Sequence, residues 1–208
     1  MLAVRPLELV GRRVVLRPLK AHDFEQWREV RRRCRDWLEP WEPNPPPGSG
    51  DITEDRRAFV ARCGARERER QLGTGYGFGI FAGASRLSGE VNLSSLQRGP
   101  FQNAYLGYWV DQAVAGQGLV PEAVVVALQF AFESLDLHRV QIAIIPRNYA
   151  SRRVMEKLGI REEGVALRYL EINGVWEDHI RYAITAEEWH RAREAFLYRW
   201  VLPSDVPS

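Results

Sequence analysis

A chain of 208 residues with 45% hydrophobic content is long enough to bury one sizeable core, which excludes a disordered protein. Its formal net charge of +2 demands neither nucleic acid nor an anionic membrane as a partner, and no apolar run of about 20 residues could span a bilayer. The two cysteines lack CxxC and metal-ligand spacing, the four histidines lack two-ligand spacing and no signal peptide is evident, so we expect a cytoplasmic protein without disulfides or a metal site.

The N-terminal part of the chain is predicted to contain one strand, two helices and a proline-rich connection. Alternating apolar residues predict a strand over residues 13–19. Apolar residues at spacings of three and four from Asp23 predict an amphipathic helix, and prolines end it in residues 39–52, which we call the flap. A second helix follows, with Asp51 or Thr53 as its cap.

The rest of the chain alternates strands and helices. Runs of strand length separated by Gly, Ser, Pro and Asn predict an antiparallel meander, and a helix that is apolar nearly all round is expected to be buried against it. The dipeptide Asn173-Gly174 between two alternating runs predicts a hairpin. The strands of the meander cover 76–83, 87–97 and 103–111, and a further strand covers 139–146. The apolar helix covers 121–135, and two more helices cover 148–159 and 185–197, the last capped by Thr185. We therefore expect one mixed α/β domain over residues 1–208.

A glycine-containing loop, "AGQGLVPEA" (115–123), lies between a predicted strand and the apolar helix. A Walker loop would need Lys and then Ser or Thr after Gly118, where Leu119 and Val120 stand, and the third glycine of a dinucleotide fingerprint is missing. Two interpretations remain open. The free backbone N–H groups at a helix start can hold a pyrophosphate, or the loop is a connection without a ligand.

A second motif changes the balance between these interpretations. "AGQGLV" resembles the acetyl-coenzyme A pyrophosphate loop of the GCN5-related N-acetyltransferase (GNAT) superfamily, and "NYASRRVMEKLGI" resembles the Asn-x-x-Ser helix that follows its next strand. "GYWV" and "NGVWEDHIRYAI" are similar to the RimJ/RimL branch, the ribosomal-protein alanine acetyltransferases. The resemblance covers residues 12–190 by element order and about 105–185 by motif. Ala115 and Val120 depart from the family pattern. This departure leaves the backbone donors in place but puts the affinity for acetyl-coenzyme A and the stiffness of the loop in doubt.

The resemblance implies a central sheet of about seven strands, mostly antiparallel, that is splayed at the cofactor site. It implies that the Val110 N–H faces the thioester oxygen, that Asn148 contacts the pantetheine, and that Ser151 lies near the sulfur as a proton donor to the thiolate. The alternative is that Asn148 and Ser151 only cap a helix. The residues implied to bind acetyl-coenzyme A are Trp109, Val110, Ala115, Gly116, Gln117, Gly118, Leu119, Val120, Asn148, Ser151 and Arg153.

The general base is left open between Glu90 and Tyr169. An α-amino group has a pKa near 8, so part of it is already neutral at pH 7 and a strong base is not required. Asp178 shares a strand face with Trp176 by period two, which points a carboxylate toward an apolar layer, and we expect a structural pair with Arg168 across the hairpin. Neither cysteine lies beside a base, which favours direct attack of the amine on the thioester.

The flap carries Trp37 at its approach and Trp41 within it, flanked by acidic residues. Both indoles either line an acceptor groove or complete the core. The arginine run 31–35 is expected to be a solvated helix face, with ribosomal RNA contact as the weaker alternative.

The leading hypothesis is an acetyl-coenzyme A-dependent transferase that acts on the N-terminal α-amine of a protein, with a small-subunit ribosomal protein as a candidate. We expect no DNA or membrane partner and a monomer or homodimer. The alternatives are acyl transfer to a small amine, use of another donor such as succinyl-coenzyme A, and a non-catalytic acyl-coenzyme A-binding or ribosome-associated module.

Overall fold

The computed structural model describes residues 7–44, 51, 53–83 and 85–202. Its centre is one sheet of eight strands in the order β1-β2-β3-β4-β5-β6-β8-β7, in which β5 and β6 are parallel and all other neighbours are antiparallel. The strands are β1 (Leu9–Val10), β2 (Val14–Arg17), β3 (Tyr76–Ala82), β4 (Arg86–Gln97), β5 (Asn103–Val110), β6 (Arg139–Ile144), β7 (Arg161–Ile172) and β8 (Val175–Thr185). The predicted mixed, mostly antiparallel sheet is confirmed, and the strand beyond the expected seven is the two-residue β1.

The described residues form six α-helices around the sheet: α1 (Phe24–Arg33), α2 (Arg35–Leu38), α3 (Arg56–Leu72), α4 (Leu119–Gln129), α5 (Tyr149–Leu158) and α6 (Ala186–Trp200). The helix predicted from Asp23 is interrupted at Cys34, whose φ of −99° and ψ of 14° are not helical. The expected cap of the second helix was wrong, because Asp55 caps α3 by accepting the N–H groups of Arg57 and Ala58. Of the flap, Glu39–Trp41 form a 3₁₀ turn, and residues 45–50 and 52 lie outside the described residues. No helix in the described ranges is long and apolar enough to cross a membrane.

The largest core packs α4 against one face of the sheet. Val124, Val125 and Leu128 are fully buried, as the nearly all-apolar sequence of this helix predicts. The helix begins earlier than expected, at Leu119, and its last turn widens into a π-helix over Phe130–Ser134. A smaller cluster on the opposite face joins α1 and α3 to the sheet through Phe24, Trp27, Phe59, Phe81 and Leu87. The sheet is thus covered by helices on both faces.

The two parallel strands separate at the centre of the sheet. The pairing of β5 with β6 is limited to Asn103–Tyr105 opposite Arg139–Gln141, although β5 continues to Val110 and β6 to Ile144. Beyond Tyr105 and Gln141 the strands diverge and leave a V-shaped gap, whose apex is that last pair. This gap is the splay that the resemblance implies.

The predicted turn and caps at the C-terminal end are present. Asn173 and Gly174 have φ values of 48° and 80°, as a tight two-residue hairpin turn requires. Thr185 caps α6 in a capping box, in which its hydroxyl accepts the Glu188 N–H and the Glu188 carboxylate accepts the Thr185 N–H.

Candidate active site

The glycine loop connects the end of β5 to the start of α4 beside the gap. Gly116 and Gly118 have φ values of 80° and 83°, a backbone conformation that only glycine adopts without strain. Gly118 is the N-cap residue of α4 and has no capping side chain. Within the described ranges, no hydrogen bond is made by the N–H groups of Gly116, Gly118, Leu119 and Val120. Four unpaired donors at a helix N-terminus form a seat for an anion.

The other two loop residues stabilise the loop itself. The Ala115 N–H donates to Gln112 O at 3.2 Å, and the Gln117 N–H donates to Val114 O at 3.4 Å. The backbone N–H groups of Ala115 and Gln117 are therefore engaged in local turns. The free backbone donors of the loop are therefore those of Gly116, Gly118, Leu119 and Val120.

Arg13 and Glu122 stabilise the loop through hydrogen bonds. The Arg13 guanidinium donates to Gln117 O at 2.9 Å and to Glu122 Oε2 at 2.9 Å. Glu122 Oε1 accepts the N–H groups of Arg13 and Val14, and Glu122 is fully buried in the first turn of α4. Sequence reasoning missed this pair, although an acidic residue in an otherwise apolar helix is a readable signal.

One wall of the gap carries the predicted proton donor. Asn148 caps α5 by accepting the Ser151 N–H at 3.0 Å, so the capping role is present. The Ser151 hydroxyl donates to the Tyr108 oxygen at 2.9 Å, and the Tyr108 hydroxyl donates to Ser151 O at 3.1 Å. Burial raises the pKa of Tyr108, and the hydrogen bond from Ser151 opposes this only in part, so the phenol stays neutral. Tyr108 was not among the predicted site residues, though it lies in the "GYWV" motif.

At the end of β5, the backbone N–H group of Val110 points into the gap. The Asp111 N–H donates to Ser88 O on β4 at 2.8 Å, so by strand alternation the Val110 N–H points away from β4 and toward the side that β6 has left. The carbonyl of Val110 accepts the indole N–H of Trp37 at 3.2 Å. Gly89 makes the close approach of β4 possible, because a Cβ there would lie 2.2 Å from Trp109 O.

The two predicted bases differ in their surroundings. Glu90 is buried, and its two oxygens accept the Trp27 indole N–H at 2.8 Å and the Arg62 guanidinium. Burial, followed by a hydrogen bond with Tyr105, raises the pKa of Tyr169. A raised phenol pKa favours the neutral form, which is a poor base at neutral pH. These contacts favour the expectation that no strong base is required.

Trp37 and Trp41 are both half-buried, and Trp37 lies on the side of the sheet opposite α4. Trp37 packs beside Trp109 against a small apolar cluster, so it contributes to the core. The Arg147 guanidinium lies 5.2 Å from the centroid of the Trp41 ring and pairs with Glu177 on β8 at 2.8 Å. Trp41 is thus close to the hairpin side of the gap.

The flap also contacts the hairpin directly. The Asn173 N–H donates to Glu42 O at 3.1 Å, and Arg31 makes a bidentate pair with the Glu42 carboxylate. Of the arginine run, Arg32, Arg33 and Arg35 are exposed, as a solvated helix face requires, whereas Arg31 is half-buried against Glu42. The flap and the hairpin together wall the gap on this side.

Arg153, Asp178 and Trp176 are the remaining residues named from the sequence. Arg153 is exposed on α5. Asp178 is paired with Arg168, but through the Arg168 backbone N–H at 2.7 Å. The apolar layer expected beside Asp178 does not extend to Trp176, which is 60% exposed. Among the described residues, no group of three or more His, Cys, Asp or Glu could hold a metal ion.

Comparison with known proteins identifies the family. Residues 13–161 match the model of the acetyltransferase (GNAT) domain, so the chain belongs to the GNAT family and the resemblance is confirmed. The chain is 36% identical over 177 residues to the probable N-acetyltransferase YjcK of Bacillus subtilis, and the match covers 85% of this chain and 96% of that protein. The protein is an acyltransferase of the N-acetyltransferase type.

Two relatives point to the ribosomal branch. The chain is 30% identical over 197 residues to the [ribosomal protein uS5]-alanine N-acetyltransferase of Escherichia coli, covering 91% of this chain and 96% of the relative. The structure of Mycobacterium smegmatis RimJ in complex with CoA-disulfide has a TM-score of 0.81 at 31% identity and covers 91% of this chain and 93% of RimJ.

Proposed function

We propose that the protein transfers the acetyl group of acetyl-coenzyme A to the N-terminal α-amine of a protein whose first residue is small, such as Ala or Ser. The observation that carries the proposal is the V-shaped gap, which has an anion seat at its open end and the flap and hairpin along one side. The relationship to an enzyme named for ribosomal-protein alanine supports the choice of acceptor.

The described residues fit acetyl-coenzyme A as the donor. The N–H groups of Gly116, Gly118, Leu119 and Val120 are unpaired and would hold the pyrophosphate. No atom lies within 4 Å of a Cβ built on Gly116, which leaves room for a ligand against the loop. The end of β5 at Trp109 and Val110, together with Asn148, would bind the pantetheine.

In this proposal the amine attacks the thioester directly. Val110 donates its N–H to the thioester oxygen as negative charge develops there. The Ser151 hydroxyl turns from the Tyr108 oxygen to the leaving sulfur and gives the thiolate its proton, and the Tyr108 hydroxyl turns from Ser151 O to give its proton to Ser151 Oγ. The proton that the attacking amine releases then returns to the Tyr108 oxygen, so that the phenol is neutral again. The amine needs only a weak base, because a fraction of it is neutral at pH 7.

The cysteines do not favour an acyl-enzyme route. Cys34 is buried in the cluster that Trp37 and Trp109 pack against, where burial raises the pKa of its thiol and its sulfur contacts Asp111 and the Gln112 N–H. Burial also raises the pKa of Cys63. A raised pKa leaves less of the nucleophilic thiolate at neutral pH. An acetylated enzyme seen by intact mass after mixing with acetyl-coenzyme A alone would contradict direct attack.

The test is a panel of acceptors with purified protein. We expect turnover with peptides that begin with Ala or Ser, and none when the same peptides carry a blocked N-terminus and an internal lysine. Small amines and succinyl-coenzyme A form the competing arms. Faster turnover with a small amine, or with succinyl-coenzyme A, would replace the proposed acceptor or donor. Acetyl-coenzyme A binding without turnover of any amine would contradict the proposal altogether.

A further inference from the structure

A chain of polar side chains crosses the sheet at the apex of the gap. The Gln141 side-chain amide donates to Asn103 Oδ1 at 2.7 Å, and the Arg181 guanidinium donates to Gln141 Oε1. Arginine can only donate, so Gln141 must present its oxygen to Arg181 and its nitrogen to Asn103. Asn103 and Gln141 are 0% and 2% exposed, so these two buried side chains fix the orientation of the Arg181 guanidinium.

The guanidinium has N–H groups left over, because only Nη2 is bonded to Gln141. In the part of the chain that the structure describes, Arg181 Nε is buried and has no hydrogen-bond partner. A buried donor without an acceptor is costly, and such groups are rare in folded proteins. Arg181 Nη1 is not among the buried unpaired atoms, so an oxygen brought by a bound molecule can reach the guanidinium there.

The position of Arg181 places this donor at the acceptor side of the gap. Arg181 lies opposite Ala143 on β6, two residues beyond the apex pair of Tyr105 and Gln141. Its guanidinium lies 4.9 Å from the ring centroid of Tyr169 and 6.0 Å from that of Tyr105. Tyr105 shares a face of β5 with Trp109, which packs on the flap side. Arg181 therefore faces the side of the gap that the flap and hairpin wall, across the sheet from Tyr108.

We propose that Arg181, oriented by Gln141 and Asn103, binds a backbone carbonyl oxygen in the first two residues of the acceptor protein. This assignment rests on the proposed function and adds the feature that it recognises. A peptide offers carbonyl oxygens beside its α-amine, whereas a simple amine offers none. Arg181 thereby selects peptide N-termini over small amines, and Gln141 and Asn103 act as positioning residues.

The first test removes the donor and reads acceptor kinetics. Arg181→Met should lower kcat/KM for an Ala-first peptide by about 10- to 100-fold, the range expected for one hydrogen bond from a charged donor. Its affinity for acetyl-coenzyme A should be unchanged. Gln141→Leu should raise KM for the peptide more than it lowers kcat. Arg139→Met is the matched control, because Arg139 lies on β6 but pairs with Glu163 away from the gap, and it should leave kcat/KM unchanged.

The decisive test is a double-mutant cycle that combines the Arg181 variant with altered peptides. Two peptides carry a trans-alkene in place of the first or the second peptide bond, which removes one carbonyl at a time. If Arg181 binds that carbonyl, one of the two alkenes should cost wild type about 10- to 100-fold in kcat/KM and Arg181→Met much less. The altered pKa of the amine affects both enzymes equally and cancels. If Arg181→Met folds poorly, Gln141→Leu, which removes the acceptor that orients the guanidinium, replaces it.

The outcomes separate this assignment from the proposed function. If wild type acetylates no peptide, the proposed function fails and the assignment fails with it. If wild type acetylates peptides but each alkene costs both enzymes the same factor, only the assignment is overturned. Coupling of Arg181 to an acidic side chain of the peptide, instead of to a carbonyl, would also overturn it.

Discussion

Gly118 is the residue at which loop geometry and anion binding can be tested together. Its φ of 83° is left-handed, and a Cβ there would lie 3.2 Å from the Arg13 guanidinium. Gly73 is a matched control, since it caps α3 with a φ of 68° and no atom lies within 4 Å of a Cβ built on it. Alanine in the left-handed region costs about 1–2 kcal/mol. Gly118→Ala and Gly73→Ala should therefore each lower Tm by about 2–8 °C.

A substitution to glutamate distinguishes Gly118 from Gly73. In Gly118→Glu the carboxylate would stand beside the proposed pyrophosphate seat, and like charges about 4 Å apart repel by about 1 kcal/mol in water and about 4 kcal/mol near a protein surface. The affinity for acetyl-coenzyme A should fall by about 5- to 1000-fold. Gly73→Glu adds the same charge elsewhere and should bind as well as wild type. Calorimetric titration measures both. Equal affinity of Gly118→Glu and wild type would refute the proposed seat.

Three other predictions address the braced loop, the proton donor and acid stability. Glu122→Ala leaves the N–H group of Arg13 and the buried N–H group of Val14 without acceptors and should lower the free energy of unfolding by about 2–4 kcal/mol in urea titrations. Tyr108→Phe should lower kcat by about 100-fold or more with unchanged acetyl-coenzyme A affinity, because Ser151 can no longer recover its proton. Asp23→Asn should destabilise the protein fully at pH 7 and progressively less as the pH falls below about 4.

The sign of the pH dependence follows from the contacts of Asp23. Burial alone would raise the pKa of this carboxyl, but hydrogen bonds from the Arg17 guanidinium and the Lys20 N–H outweigh it and lower the pKa. A lowered folded pKa stabilises the fold above the unfolded pKa, and this contribution is lost as the pH falls through the folded value. A wild-type-minus-variant difference that stays constant down to pH 3 would contradict this account.

The other two predictions have their own controls. Glu156→Ala removes an exposed carboxylate on α5 and should leave stability unchanged, so an equal loss in both glutamate variants would contradict the role of Glu122. The raised pKa of Tyr108 predicts that wild-type kcat shows no loss from phenol ionisation up to about pH 10. A Tyr108→Phe enzyme with wild-type kcat would remove the phenol from the proton path.

The sequence by itself determined the features that depend on local chemistry. Asn173-Gly174 makes a tight turn because both residues tolerate positive φ, Thr185 caps α6 through a neighbour three residues away, and the loop at Gly118 leaves helix donors free. Each of these signals is read within a few residues, because caps and turns form between near neighbours in the chain. The order of the elements follows from the same local patterns.

Only the tertiary structure decided which distant side chains meet. Tyr108 is 43 residues from its partner Ser151, and Arg13 is 109 residues from Glu122. Arg181 is brought to Gln141 by the register of β8 on β6. These contacts depend on strand register and on the separation of β5 from β6, which no local pattern encodes, because a shift of one residue turns a side chain to the other face of the sheet.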